Sequence, residues 1–406
     1  MLRSRCVRHL SLLLTAVLLW TVVLAGLARL SGVSGAGDKY NIVLWIGVHL
    51  PRPWLNGPAR QFGGGYPPAS NDALVSFFGQ TSALSAAETE AAYAEATGAL
   101  EDAGDRRVFQ QVQTLRGLQW PVQARISAEL ASVVRDERLD APVPLTAGLR
   151  VVWPPLNFSF DLPPYLLIRS RRDRIGVVST TLLRGDLPSA QRKRLEDDAR
   201  RQGYSALIVR VGGIATYPSI VEADDNYGGT LDLVAHEWMH QYLFFHPLGI
   251  RYFVSSDLTT INETVANMAG QELARAVRAR FPLSGMPKSS HANVPPEDKS
   301  VDFNRTLHEL RLEVDSLLAQ GKVSEAESRM NETQRFLVQH GYYVGTINQA
   351  YFAFYGTYAD TAASSNPLGP QLAELRTRYS TLAGFIHAVQ GVTSVPDLQQ
   401  LLGAQR

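Results

Sequence analysis

The sequence predicts an α+β fold: a small mixed β-sheet, then a mainly α-helical region, the whole preceded by an N-terminal transmembrane helix. Three observations predict it. Residues 10–28 run apolar and uncharged, close to the ~20 residues that span a bilayer as a helix. Between 148 and 221, short runs rich in Val, Ile, Leu, Thr and Tyr are bounded by Pro, Gly and charged turns, the pattern of strands. From 231 onward, apolar residues recur at helical spacing in long segments.

Residues 1–31 form the membrane anchor or signal. Arg3, Arg5 and Arg8 precede the apolar run, which keeps the N-terminus in the cytoplasm and exports the rest. The small residues ending at Ala25 offer cleavage as the alternative. Residues 32–72 are a linker and irregular region, dense in Gly and Pro after residue 50. Within it, "NIVLWIGVHL" (41–50) is too short to span a membrane and is open between a strand and an interfacial segment. Residues 73–145 are helical. "SALSAAETEAAYAEATGALEDA" is rich in Ala and Glu, a second helix covers about 105–118, and Pro121 suits the first turn of a third. The region carries no polar constellation of its own.

Residues 146–230 are the β-rich half of the main domain. "GLRVVWPP", "PPYLLIRSR" and "RIGVVSTTLLRG" predict strands, a helix follows over 187–203, and "SALIVRVGG" (205–213) is a further strand. "ATYPSIV" (215–221) is expected at a sheet edge, because Pro218 would break a central ladder. Residues 231–406 are the helical half. It comprises a helix over 259–281, a Pro-rich loop over 282–300 and a helical hairpin turning at Gly321. Further helices occupy 345–360 and 369–402. Phe303, Leu307, Leu310, Val314 and Leu317 give the hairpin's first arm one apolar stripe.

Composition narrows the function. The chain has 406 residues, 45% hydrophobic and 19% charged, with a formal net charge of +1. That affords a sizeable core and excludes the basic excess of a nucleic-acid-binding domain. The basic runs "RSRRDR" (169–174) and "RKR" (192–194) fit a hairpin tip and a solvated helix face. Cys6 is the single cysteine, so a metal in the folded part must be held by His, Asp and Glu.

One stretch carries chemistry. In "AHEWMHQYLFFH" (235–246), His236 and His240 are one helical turn apart and share a face, with Glu237 beside them. This H-E-x-x-H spacing is that of a zinc hydrolase, with the glutamate as general base. Apolar residues on both sides bury the segment, where imidazoles and a carboxylate are costly unless coordinated or paired. A catalytic zinc takes three protein ligands and one open position. His246 lies six residues after His240, but Leu243 stands where a sharp turn needs glycine, and Pro247 biases His246 toward an extended conformation. Glu263, in "INETVANMAG", lies 23 residues after His240. A turn at "HPLG" would fold the next helix back and aim Glu263 at the imidazoles. The alternative for Glu263 is a T-x-x-E capping box with Thr260.

"HEWMHQ…NETVA" resembles the gluzincin metallopeptidases. More narrowly, it resembles a bacterial family of predicted membrane-associated aminopeptidases, in which H-E-x-x-H-Q is followed by Asp and then F-N-E-x-x-A. Gln241, Asp257, Asn262, Glu263 and Ala266 match, and Ile261 replaces the Phe. "INQAYFAFYGTYAD" (347–360) is similar to a later segment of that family. The resemblance implies one Zn2+ per chain, held by His236, His240 and Glu263, with Glu237 as catalytic base. It also implies that a Tyr among Tyr351, Tyr355 and Tyr358 donates to the oxyanion. The expectation is a zinc metallopeptidase cleaving a peptide or protein substrate outside the cytoplasm, attached to the membrane through the N-terminal helix. Aminopeptidase and endopeptidase activity both stay open. Substrate backbone is expected along the edge strand near 214–221. Glu222, Asp224 and Asp225 are the acidic residues available to an N-terminal amine, or else a solvated loop. The alternative is a catalytically silent zincin-like scaffold, against which the completeness of His236, Glu237, His240 and Glu263 argues.

Overall fold

Thirteen helices and eight short strands make up the regular structure among the residues that the computed structural model describes, which are 37–49, 68–97, 119–142, 148–223, 227–286, 298 and 300–403. The expected membrane helix, Cys6, the helix over 105–118, Asp224, Asp225 and most of the 282–300 loop lie outside these residues. No helix among the described residues is long and apolar enough to cross a membrane.

The segment left open between strand and interfacial element is helix α1 (Ile42–His49). Asn41 starts it, its Oδ1 accepting from the Leu44 N–H at 2.9 Å. Trp45 Nε1 donates to Asp161 at 2.7 Å and pins the helix to the body. Helices α2 (Asn71–Thr97) and α3 (Gln119–Asp136) follow, with Pro121 in the first turn of α3 as expected.

The β-rich half does not form one sheet. Strands β1 (Ala141–Pro142) and β2 (Arg150–Val151) make a small antiparallel ladder. Strands β4 (Tyr165–Arg171), β5 (Val177–Leu183) and β6 (Tyr204–Arg210) make an antiparallel sheet of order β5-β4-β6, with α4 (Ser189–Arg201) in the crossover. The mixed sheet is separate: β3 (Phe158–Phe160) pairs in parallel with β8 (Ser219–Val221), which pairs antiparallel with β7 (Gly213–Ile214). The edge placement expected for 215–221 is therefore corrected. The ladder begins at Ser219, one residue after Pro218, so the proline breaks nothing and β8 is central. The edge falls to β7.

Helices α5 (Tyr227–Leu243), α6 (Pro247–Ile250) and α7 (Ser256–Arg280) carry the motif. Next come α8 (Phe303–Ala319) and α9 (Val323–Gln339), which turn about Gly321 at φ +74°, where a glycine adopts the left-handed conformation freely. Leu307, Leu310 and Val314 of the predicted stripe are buried. Helices α10 (Gln349–Tyr355), α11 (Leu368–Thr377), α12 (Leu382–Val389) and α13 (Val395–Gly403) complete the chain.

Burial explains how these pieces cohere. Phe77 and Phe78 of α2, Ile126 and Leu130 of α3, Leu231 and Trp238 of α5 and Val265 of α7 share one apolar core. The N-terminal helices thus belong to the body that holds the motif rather than standing apart from it. Residues on β4 alternate between faces with the two-residue period of a strand. Ile168 packs with the α8–α9 hairpin and α10, while Leu167 packs with Ala199 of α4. The run 192–194 is only partly a solvated face: Lys193 and Arg194 are exposed, but Arg192 is buried and donates to Leu187 O and Tyr165 Oη.

Candidate metal centre

The centre is built where α5 and α7 pack against each other. Val234, Ala235, Trp238, Met239 and Tyr242 bury most of the circumference of α5, and Trp238 Nε1 donates to Pro154 O at 2.9 Å. Close approach of α7 depends on Gly270. A Cβ there would lie 2.8 Å from Asp232 O and 3.1 Å from His236 N. Glu263 stands seven residues, about two turns, earlier on α7, and so on the same face. The connection between the helices is tight. His246 is extended, at φ −124° and ψ 158°, with Pro247 opening α6, as the sequence predicts. A Cβ on Gly249 would overlap the backbone of Leu243. Ser255 caps α7, its Oγ accepting from the Leu258 N–H at 3.2 Å. With the cap two turns upstream, Glu263 does not serve as a capping-box residue and its carboxylate is free for another task.

That carboxylate meets the two imidazoles. Nε2 of His236 and Nε2 of His240 are 3.0 Å apart. Glu263 Oε2 lies 3.5 Å from the first and 3.3 Å from the second. Ligand atoms around a tetrahedral ion with bonds of about 2.0–2.2 Å stand roughly 3.3–3.5 Å apart, so the triangle suits a small cation. Glu263 Oε2 is buried and without a hydrogen-bond partner, a costly state for a carboxylate oxygen that a cation would relieve. The other oxygen, Oε1, accepts from the Tyr252 hydroxyl. The His240 Nδ1–H donates to Asn262 Oδ1 at 2.7 Å, which fixes the ring with Nε2 turned into the triangle. This buried His-His-Glu group can hold a metal ion.

Charge within the cluster is self-balanced. Burial would raise the Glu263 carboxyl, but the facing His240 and His236 imidazoles hold it well below its usual range. Burial would lower His240, but the Glu263 charge and hydrogen bond, with the Glu237 charge and the Asn262 hydrogen bond, together lift it to about 9. Glu237 differs. Burial pushes its carboxyl up, only partly opposed by the two histidines, and the Glu263 charge adds to the rise. Its side chain lies flat against β7, where a Cβ on Gly213 would strike Oε1, Cδ and Cγ. Gln241 fixes the same junction by donating to Thr216 O and to Ser219 Oγ, the latter at 2.8 Å. The base candidate therefore lies between the metal triangle and the edge strand of the mixed sheet.

The three expected tyrosines part company. Tyr358 reaches the cluster, with its ring 6.2 Å from that of His236, and burial together with the Glu263 and Glu237 charges pushes its hydroxyl well above its ordinary pKa. Tyr351 and Tyr355 meet with ring centroids 4.5 Å apart and planes tilted by 46° within the second apolar cluster, against β4 and the α8–α9 hairpin. His246 packs on Tyr242 at 4.7 Å and is not among the converging ligands. Glu222 pairs with Arg210 at 3.4 Å. Tyr252 and Gly213 escaped the sequence reading. The only signal for Tyr252 is a hydroxylated aromatic in the short connector between two ligand-bearing helices. No protein-family model matches the chain, and neither does any curated protein or solved structure.

Proposed function

We propose that the protein is a zinc-dependent metallopeptidase that hydrolyses peptide bonds outside the cytoplasm. The observation that carries this reading is the orphaned Glu263 Oε2 facing two imidazole nitrogens with a buried, up-shifted carboxyl, Glu237, one residue from the first of them. Two nitrogens and one carboxylate oxygen, with no thiolate, suit zinc better than the all-oxygen cages of calcium or magnesium. The order His236, Glu237, His240, Glu263 is that of the gluzincins.

A zinc ion held by His236, His240 and Glu263 would supply Lewis acidity, lowering the pKa of a water from about 15.7 toward 7. Glu237 takes the proton of the attacking water and later delivers it to the leaving amine. Its raised pKa brings it nearer to neutral pH, where a carboxyl can serve in both directions. Tyr358 donates to the oxygen of the tetrahedral intermediate. The edge strand β7, in contact with Glu237, accepts an extended peptide by strand addition. Residues 10–28 tether the body to the membrane on its exported side. A catalytically silent scaffold would leave the buried Glu237, and the glycine that makes room for it, without a purpose.

The Glu237→Gln variant separates metal from chemistry. It is expected to keep the wild-type zinc content while its rate on a peptide library falls by about 10²–10⁴-fold, the scale of a lost general base. A variant that cleaves at the wild-type rate contradicts the role.

A further inference from the structure

Glu263 has two carboxylate oxygens, and only one of them faces the imidazoles. Something must decide which. The Tyr252 hydroxyl donates to Oε1, and the tyrosine is itself firmly placed. Its N–H donates to Gly249 O at 3.1 Å, and its carbonyl accepts from Thr259 Oγ1 at 2.5 Å. Its ring meets that of His240 edge-on at 6.0 Å. The residues flanking it turn the other way, Phe253 being 94% exposed and Val254 66%. In an apolar, outward-facing connector, Tyr252 alone is turned inward onto a ligand.

We infer that Tyr252 is a positioning residue for the metal centre. By occupying Oε1 it holds Glu263 as a one-oxygen ligand, with Oε2 fixed toward His236 and His240. This rests on the proposed metal site but not on the hydrolysis assigned to it. Its partner on the other side of the centre is Asn262, which fixes His240 through Nδ1. Two of the three residues that would hold the ion are thus oriented by neutral side chains bonded to their other polar atoms, as outer partners of metal ligands commonly do. The tight turn at Gly249 is what makes it possible. It shortens the connector so that a residue 11 positions before Glu263 on the chain can reach back to its carboxylate.

The test is zinc affinity, measured by competition with a chromophoric chelator, for the wild type, Tyr252→Phe and Tyr252→Ala, each checked for folding by circular dichroism. Tyr252→Phe keeps the ring and removes only the hydroxyl. A positioning role predicts a 10–100-fold loss of zinc affinity in Tyr252→Phe, with Tyr252→Ala at least as weak. Wild-type affinity in a folded Tyr252→Phe overturns the inference and leaves the metal reading standing. A folded wild type that binds no zinc overturns both.

Discussion

At the scale of single residues, the centre is decided by which atoms are denied a partner and which are crowded. Glu263 Oε2 has none, whereas Oε1 and the His240 Nδ1 are each tied by one hydrogen bond. Glu237 is held by contact instead, against the bare backbone of Gly213. This yields a prediction. In Gly213→Ala the new methyl displaces the Glu237 side chain from Cγ outward and meets no backbone, so the fold and the zinc content should persist. The base moves, however, and a displacement of about 1 Å in a catalytic group can cost about 10²-fold in rate. Peptide hydrolysis at least tenfold slower with zinc unchanged is the expected outcome. Full activity would show that Glu237 needs no such fit. Much of this scale was legible in the sequence, because His236, His240 and Glu237 depend only on the helical period. Tyr252 and Gly213 were not, since each acts on a residue that only tertiary packing brings near.

At the scale of elements, helix pairing explains why Glu263 serves as a ligand candidate. The sequence left it between ligand and cap, and the α7 cap fell on Ser255 instead. Strand order was the less legible part. "ATYPSIV" holds its proline just outside the ladder, so a rule about proline within strands did not apply. Residues 42–49 form a helix that Asn41 opens, through a local hydrogen bond that the apolar run conceals. The hairpin β4–β5 was correctly foreseen with a basic tip, but not its partner. Arg172 at that tip grips Glu327 of α9 through Nε and one Nη, the longer bond being 2.7 Å, and Gln349 of α10 adds a third contact. The Arg172 bond holds the Glu327 carboxyl below its ordinary value of 4.5. A folded pKa below the unfolded one gives stability that is present above about pH 4.5 and is lost as pH falls through the folded value. Glu327→Gln should therefore cost about 0.2–1 kcal/mol at pH 7, the range of part-exposed pairs. That difference from wild type should shrink in urea titrations as pH falls below 4.5. A difference independent of pH would show that the charge contributes nothing.

At the scale of the whole molecule, one apolar core joins α2 and α3 to the two helices that carry the ligands. The sequence reading set residues 73–145 aside as a helical region without a polar constellation. Tyr227 contradicts that separation, since its hydroxyl donates at 2.7 Å to Glu129 of α3 from the first turn of α5. A buried polar contact of this kind fixes how α3 seats on the motif helix. It was illegible because Glu129 looks, in sequence, like one more charge on an amphipathic helix. The central claim, that this body holds one zinc through His236, His240 and Glu263, is tested most directly by metal analysis. Full-length protein is purified with zinc supplied, the excess is removed, and the metal is counted in wild type and Glu263→Gln. The account predicts about one zinc per wild-type chain and loss of most of it in the variant. A folded wild type without zinc, or a variant that retains as much as wild type, would contradict it.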